Sequence, residues 1–177
     1  MKPPIRIETD RLNLRRPRLA DAPAVFAGWV QDPQVTRFLT WKPHRNIGET
    51  EAMLEKAVAA WDGPSRFPYM LEVAGNLALA GMLDLRLDLP RLNLGYVLSP
   101  AYWGQGYMTE AVRAVIGWAL AQPGIWRVEA TTDTENIGSQ RVMQKAGMIC
   151  EGTLRKYILH PNLGPVPRDS FMYAIVK

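Results

Sequence analysis

The segment Tyr96-Val97-Leu98-Ser99-Pro100-Ala101-Tyr102-Trp103-Gly104-Gln105-Gly106-Tyr107-Met108-Thr109-Glu110 constrains the fold more than any other part of the chain. It reads as the end of a β-strand, a short glycine loop and the first turn of a helix. That order leaves several backbone N–H groups without partners at a helix N-terminus, with the positive end of the helix dipole behind them. Such a place suits a phosphate or pyrophosphate. Gly104 and Gly106 let the backbone approach a bulky anion with no Cβ in the way. Taken alone, the loop is equally a tight strand-to-helix turn with no ligand, because short glycine motifs occur widely.

The chain of 177 residues is long enough for one core, and its 47% apolar and 21% charged residues are those of a globular protein. No apolar run approaches the ~18–20 residues that span a bilayer. Met1-Lys2-Pro3-Pro4 leads into no hydrophobic stretch, so no secretory signal is expected. Cys150 is the only cysteine, which excludes an internal disulfide and a Cys-based zinc site; two histidines far apart make no metal site either. The expected setting is cytoplasmic. A net charge of +4 suits an anionic cofactor but is too small, and its basic residues too scattered, to point to nucleic acid or a membrane surface.

Residues 5–15 alternate weakly and predict a first strand. Residues 21–30 predict a helix with Asp21 as N-cap and Pro23 in its first turn. Residues 48–61 predict a second, with Met53, Leu54, Ala57, Val58 and Trp61 as its apolar stripe. Residues 67–73 predict a strand. Leu77, Leu79, Leu83, Leu85, Leu87 and Leu89 then hold alternate positions against Asp84, Arg86 and Asp88. After Pro90-Arg91 the alternation resumes at Leu92, Leu94, Tyr96 and Leu98, so this is a hairpin. Gly95 within it marks a bulge or a close approach. A helix over 109–120 follows, then a strand over 127–133, a helix over 136–146 with Gly147 as its C′ residue, and strands around 148–159 and 170–176. The sum is one mixed α/β domain around a sheet with antiparallel and parallel pairs.

That order, with its motifs, resembles the GNAT superfamily of acyl-CoA-dependent N-acyltransferases, and within it the branch of ribosomal-protein N-terminal (alanine/serine) acetyltransferases. The resemblance runs from Glu8-Thr9-Asp10-Arg11-Leu12 to Arg168-Asp169-Ser170-Phe171-Met172-Tyr173. It is carried by Gly95-Tyr96-Val97-Leu98, Tyr102-Trp103-Gly104-Gln105-Gly106-Tyr107, Thr109-Glu110-Ala111, Asn136 with Ser139, and Lys145-Ala146-Gly147-Met148. It implies a single GNAT-like domain over residues 1–177. The sheet would be mostly antiparallel with two splayed parallel strands, flanked by helices. It also implies acetyl-CoA as co-substrate and no metal. The family's pyrophosphate loop begins with Gln or Arg and ends with Gly or Ala; here Trp103 and Met108 stand at those places and only Gly106 matches. These departures leave the backbone donors untouched.

By the resemblance, the N–H groups of Gly104, Gln105, Gly106, Tyr107, Met108 and Thr109 hold the CoA pyrophosphate. The edge of Tyr96, Val97 and Leu98 pairs with the pantetheine amides, as in β-augmentation. Asn136 bonds the CoA arm. Many members place a tyrosine seven residues after that asparagine as general acid toward the leaving thiolate; here the position is Met143, which has no proton to give. In the ribosomal-protein branch a serine at the place of Ser139 takes that role. Ser139 is therefore the expected catalytic residue, and it is expected to bind the cofactor as well; from its position alone it would be only a small polar residue on a helix. A thiol with a pKa near ~8.5 needs only weak acid assistance. The oxyanion would meet a backbone N–H near Val97.

The general base is not evident. The superfamily's usual glutamate falls at Thr131; Glu129, Asp84, Asp133 and His44 are the alternatives, each also readable as a surface or packing residue. Trp41 and His44 either line the acceptor pocket or, respectively, pack under the loop and face water. Trp118 and Trp126 are expected in or near the core. Arg141 and Lys145 either meet the adenosine phosphates or form a solvated helix face. Three functions fit: acetylation of a protein N-terminal amine; acetylation of a small amine such as a polyamine, amino-acid derivative or antibiotic; and a catalytically silent CoA-binding module. A polyamine site would gather Asp84, Asp88, Asp133 and Glu135. A homodimer through exposed edge strands is also open.

Overall fold

The computed structural model describes all residues, Met1–Lys177. Eight strands form one sheet: β1 (Arg6–Glu8), β2 (Leu12–Arg15), β3 (Arg66–Val73), β4 (Leu79–Asp88), β5 (Arg91–Leu98), β6 (Arg127–Asp133), β7 (Ile149–Ile158) and β8 (Arg168–Val176), in the order β1-β2-β3-β4-β5-β6-β8-β7. Every neighbouring pair is antiparallel except β5–β6, which is parallel. The helices are α1 (Ala22–Val25), α2 (Pro33–Thr36), α3 (Ile47–Ala60), α4 (Tyr107–Ala121) and α5 (Ile137–Lys145). None is long and apolar enough to cross a membrane.

The alternation in the β4–β5 hairpin places Leu83, Leu85, Leu92 and Leu94 on one face, at 3% exposure or less. Met108, Ala111, Val112, Val115 and Ala119 of α4 cover that face and are likewise buried. On the opposite face, Ala22, Val25, Trp29, Val30 and Leu54 pack on Met70, against which Met82 and Val97 also rest. The helical layer is fastened to the sheet by charge as well. Arg15 on β2 forms ion pairs with Asp21 (2.8 Å) and Glu72 (2.6 Å), all three side chains being at most 14% exposed.

Several expectations change. The first strand is two, because Leu12 N–H donates to Thr9 Oγ1 and Thr9 N–H to the Leu12 carbonyl, closing a turn in its middle. The helix expected over 21–30 is only the single turn α1, preceded by a 3-10 turn and followed by a π turn over Phe26–Val30. Asp21 makes no side-chain cap for α1; its carboxylate is taken up by Arg15 and by the backbone N–H of Arg18. α2 was not anticipated, although Asp32-Pro33 is an N-cap with proline at N1, and Asp32 accepts from Gln34 N–H at 2.7 Å. Leu77 and Leu89 lie beyond the ends of β4 and are exposed. Gly95 makes no bulge. It pairs regularly with Asp84, and the close approach is by the Arg86 guanidinium, 2.9 Å from where a Cβ would sit. Trp126 is 61% exposed beneath Lys177, because the turn after α4 sends Ile125 inward in its place. Trp118 is half-buried against the core.

Leu83→Ala removes a side chain of zero exposure from the central strands. It is expected to destabilise the fold by about 2–5 kcal/mol, read as a lower urea midpoint at unchanged m-value.

Candidate active site

The parallel ladder between β5 and β6 lasts only from Arg91↔Arg127 to Asn93↔Glu129. Beyond it β5 stays with β4 up to Leu98, while β6 stays with β8 up to Asp133. The two strands therefore part, and a cleft of about 730 Å³ opens between them. Tyr96, Val97 and Leu98 form one wall, Asn136, Gly138 and Ser139 of the α5 N-terminus the other, and Val35, Arg37 and Phe38 the outer rim. Ser99 N–H donates to the Ala80 carbonyl at 2.8 Å, so strand alternation turns the Val97 and Ser99 amides toward β4 and those of Tyr96 and Leu98 toward the cleft. The Leu98 carbonyl on that free edge accepts from the Trp103 indole N–H (2.8 Å). Trp103, which departs from the superfamily pattern, thus closes one end of the edge.

The glycine loop runs on from this edge. Gly104 and Gly106 adopt φ of 74° and 83°, left-handed conformations that a side chain would strain, and Gly106 is the N-cap of α4. None of the six backbone N–H groups from Gly104 to Thr109 has a hydrogen-bond partner within the protein. Together with the helix dipole they make a cradle for an anion, and a pyrophosphate fits the donor set. Of the loop residues, Gly104 and Met108 line the cleft; Gln105, Gly106, Tyr107 and Thr109 do not. The Met108 side chain is buried at 2% and the Gln105 amide bonds back to the Ala101 carbonyl, so these positions offer backbone rather than side chain.

A brace from the other end of the sequence holds the loop. Arg11, in the β1–β2 turn, donates to the Gln105 carbonyl, lies over the Tyr107 ring at 4.5 Å and pairs with Glu110 at 2.7 Å. Glu110 also accepts from Thr9 Oγ1 and Arg11 N–H. Burial pushes the Glu110 carboxyl up, but these bonds and the Arg11 charge outweigh it and hold the pKa below the usual value.

Asn136 caps α5, its side chain accepting from Ser139 N–H at 3.2 Å. The Ser139 hydroxyl lies 2.8 Å from the Tyr96 hydroxyl, which also reaches the Ser139 carbonyl at 3.2 Å. Burial pushes the Tyr96 phenol up to about 12, the bond to Ser139 offsetting only part of it, so it stays protonated at neutral pH. The Tyr96–Ser139 hydroxyl pair is a source of one proton facing the cleft. The sequence signalled only the Tyr96 backbone. Met143 is fully buried in the core and does not line the cleft.

The proposed bases are elsewhere. Glu129 pairs with Arg127 (2.6 Å), Asp84 with Arg66 and Arg86, and Asp88 with Arg91. His44 Nδ1 meets the Thr50 hydroxyl at 2.8 Å, and burial lowers its pKa. Trp41 is half-buried against the smaller core cluster, and neither it nor His44 lines the cleft. Asp133 is buried and bound to Arg168 at 2.6 Å. Burial alone would raise its carboxyl, but Arg168 and the Glu135 N–H hold it below the ordinary value. Arg141 and Lys145 are exposed on α5. Of the four acidic residues considered for a polyamine pocket only Glu135 borders the cleft, paired with Arg168 (2.8 Å). The rim residues Gln34, Val35, Arg37, Phe38 and Leu39 were missed in sequence; the one signal for them was the Asp32-Pro33 cap. No cluster of His, Cys, Asp and Glu capable of holding a metal ion is present.

Residues 11–149 match the Acetyltransferase (GNAT) domain family. An uncharacterized N-acetyltransferase of Bacillus subtilis (strain 168), YoaA, is 29% identical over 174 residues, 97% of this chain and 96% of its own. Among solved structures, the microcin self-immunity acetyltransferase MccE, in complex with acetyl-CoA and AMP, superposes with a TM-score of 0.87 at 20% identity, covering 96% of this chain and 94% of its own. RimL, a ribosomal-protein α-N-acetyltransferase in complex with coenzyme A, superposes with a TM-score of 0.84 at 20% identity and 97% coverage of both. The chain belongs to the GNAT acetyltransferase family. It is an N-acetyltransferase whose acetyl donor is acetyl-CoA.

Because the Glu110 carboxylate is held below its unfolded pKa, its contribution is present above the unfolded value, near ~4.3, and is lost as pH falls through the folded one. Glu110→Gln is expected to lower stability at pH 7 by about 1–3 kcal/mol, with the wild-type advantage shrinking in acid. Denaturant titrations of both proteins across that range measure it.

Proposed function

We propose that this enzyme acetylates a protein N-terminal α-amine in the cytoplasm, by direct attack of the amine on the acetyl-CoA thioester. The observation that supports a peptide acceptor over a polyamine is the lining of the cleft. Its walls are mainly apolar and backbone, with Arg37 and Glu135 as the charged side chains, while Asp84, Asp88 and Asp133 are bound to arginines outside it. RimL, a ribosomal-protein α-N-acetyltransferase, shares the fold. A cytoplasmic setting fits the single, exposed and unpaired thiol of Cys150.

In this reading the N–H groups of Gly104 to Thr109 hold the pyrophosphate, and the free edge of Tyr96 to Leu98 pairs with the pantetheine arm, with Asn136 across the cleft. The bound thioester supplies an activated acetyl carbonyl. An N–H on the edge beside Val97, from Tyr96 or Leu98, meets the oxyanion. Ser139 donates its proton to the departing thiolate and is resupplied by Tyr96, whose phenol burial keeps protonated.

Titration calorimetry should show specific acetyl-CoA binding that is lost in Gly106→Glu, which puts a carboxylate where the pyrophosphate charge lies. Normal binding by that variant would refute the loop assignment. Ser139→Ala is expected to lower kcat about 10- to 100-fold at little cost in KM for acetyl-CoA, with alanyl and seryl peptides as acceptors and mass spectrometry locating the acetyl group. Full turnover by Ser139→Ala would remove its role. Acetylation of polyamines but not of peptides would remove the acceptor assignment.

A further inference from the structure

The attacking nitrogen must lose a proton before it is a nucleophile, and none of the groups weighed from the sequence is free in the cleft to take it. One titratable side chain is left unexplained. His160, in the β7–β8 connection, is 3% exposed, and neither of its ring nitrogens has a hydrogen-bond partner. A buried ring nitrogen without a protein partner costs stability unless solvent or a transferred proton meets it. Its Nε2 lies 3.6 Å from the Asp133 carboxylate, at the end of β6 and three residues before Asn136. Its ring stands edge-on to Phe38, a rim residue of the cleft, at 6.3 Å between centroids. The Ser170 hydroxyl is also fully buried without a partner, on the residue that pairs with Asp133 across β6–β8. Asn162 fastens this connection to α2 and the loop after it, donating to the Thr36 and Trp41 carbonyls at 2.7 and 2.8 Å.

We infer that His160, backed by Asp133, is the proton acceptor for the attacking amine, reached through solvent admitted beside Phe38. The inference rests on the acetyl-transfer reading above. The acceptor ammonium gives one proton through that path to a His160 ring nitrogen, and Asp133 stabilises the imidazolium, as a carboxylate does behind a catalytic histidine. The neutral amine then forms the C–N bond as the C–S bond breaks. The second nitrogen proton, acidic once that bond exists, passes to solvent, while the thiolate takes a proton from the Ser139–Tyr96 pair, which is reprotonated from solvent. The imidazolium returns its proton to solvent. The charged groups around the ring are Asp133, Arg168 bound to Asp133, Glu135 beyond Arg168, and Arg37 stacked on Phe38.

The test is the pH profile of kcat, at saturating acetyl-CoA and a short peptide with a free N-terminal alanine, for the wild type, His160→Gln and Asp133→Asn. His160→Gln is expected to lose about 100-fold or more in kcat together with the acid limb of the profile, while acetyl-CoA binding is kept. Asp133→Asn should move that limb to lower pH, because the carboxylate that favours the imidazolium is gone. An unchanged acid limb in His160→Gln overturns the assignment. If that variant does not fold, proton NMR of the intact wild type decides. The chain has two histidines, so a His44→Gln protein identifies the His160 ring signal. A ring that titrates between about pH 5 and 9 and responds to Asp133→Asn supports the dyad, and one that stays silent overturns it. If the wild type does not acetylate the peptide while the ring titrates as described, the acceptor reading fails and the dyad stands.

Discussion

The parting of β5 from β6 after Asn93 and Glu129 is the constraint on which the rest of the structure depends. A strand in mid-sheet that loses its neighbour exposes N–H and C=O groups that have to find partners elsewhere. Here the loss leaves the Tyr96 and Leu98 amides facing the cleft, the edge that the proposed function gives to the pantetheine amides. β4 holds β5 rigid from the other side along its whole length, and β8 does the same for β6. The gap therefore cannot relax shut. Gly81 shows how closely the β4–β5 pair is set, for a Cβ there would come within 2.2 Å of the Val97 carbonyl.

The same economy governs the helix that follows. The N-terminus of α4 leaves its donors free because Gly104 and Gly106 take backbone angles that aim the loop amides outward instead of closing a capping bond. Such a loop would be mobile if left alone. Arg11 prevents this by bonding the Gln105 carbonyl and the Glu110 carboxylate from the remote β1–β2 turn. The carboxylate in the first turn of α4 also sits favourably against the helix dipole. The short N-terminal hairpin, which looks peripheral, is thus part of the anion cradle's geometry.

How much of this was legible depended on the range of the interaction concerned. Local periodicity carried the β4–β5 hairpin, α3, α4, β6 and α5 to within a residue or two, because each buries one face of a regular element. It failed where a side chain broke the pattern. The Thr9 hydroxyl split the first strand, the ion pairs of Asp21 drew it away from capping, and the turn before β6 put Ile125 inside in place of Trp126. The glycine loop was legible within one strand–loop–helix unit, whereas Asn136 and Ser139 were singled out by the family resemblance, Ser139 from its position alone being only a small polar residue. The Tyr96–Ser139 contact joins residues 43 apart, and the rim of the cleft, from α2 and the loop after it, is fastened by Asn162 more than a hundred residues later. No local pattern encodes those.

The remaining question is why a chain should hold one hydroxyl pair facing a cleft and one carboxylate cluster buried behind it. Acyl transfer from a thioester to an ammonium moves protons in opposite directions, off the nitrogen and onto the sulfur. A single group serving both would have to change protonation state within one turnover. On the β5 wall, burial keeps Tyr96 neutral, so Ser139 is backed by a proton donor. Beyond the α5 wall, Asp133 is kept ionised by Arg168 and the Glu135 amide despite its depth, so a negative charge persists where a cation would be stabilised. Two environments push two groups in opposite directions, the general means by which one site supports acid and base chemistry at neutral pH. The separation is one of depth, since Tyr96 and Ser139 line the cleft while Asp133 is buried outside it.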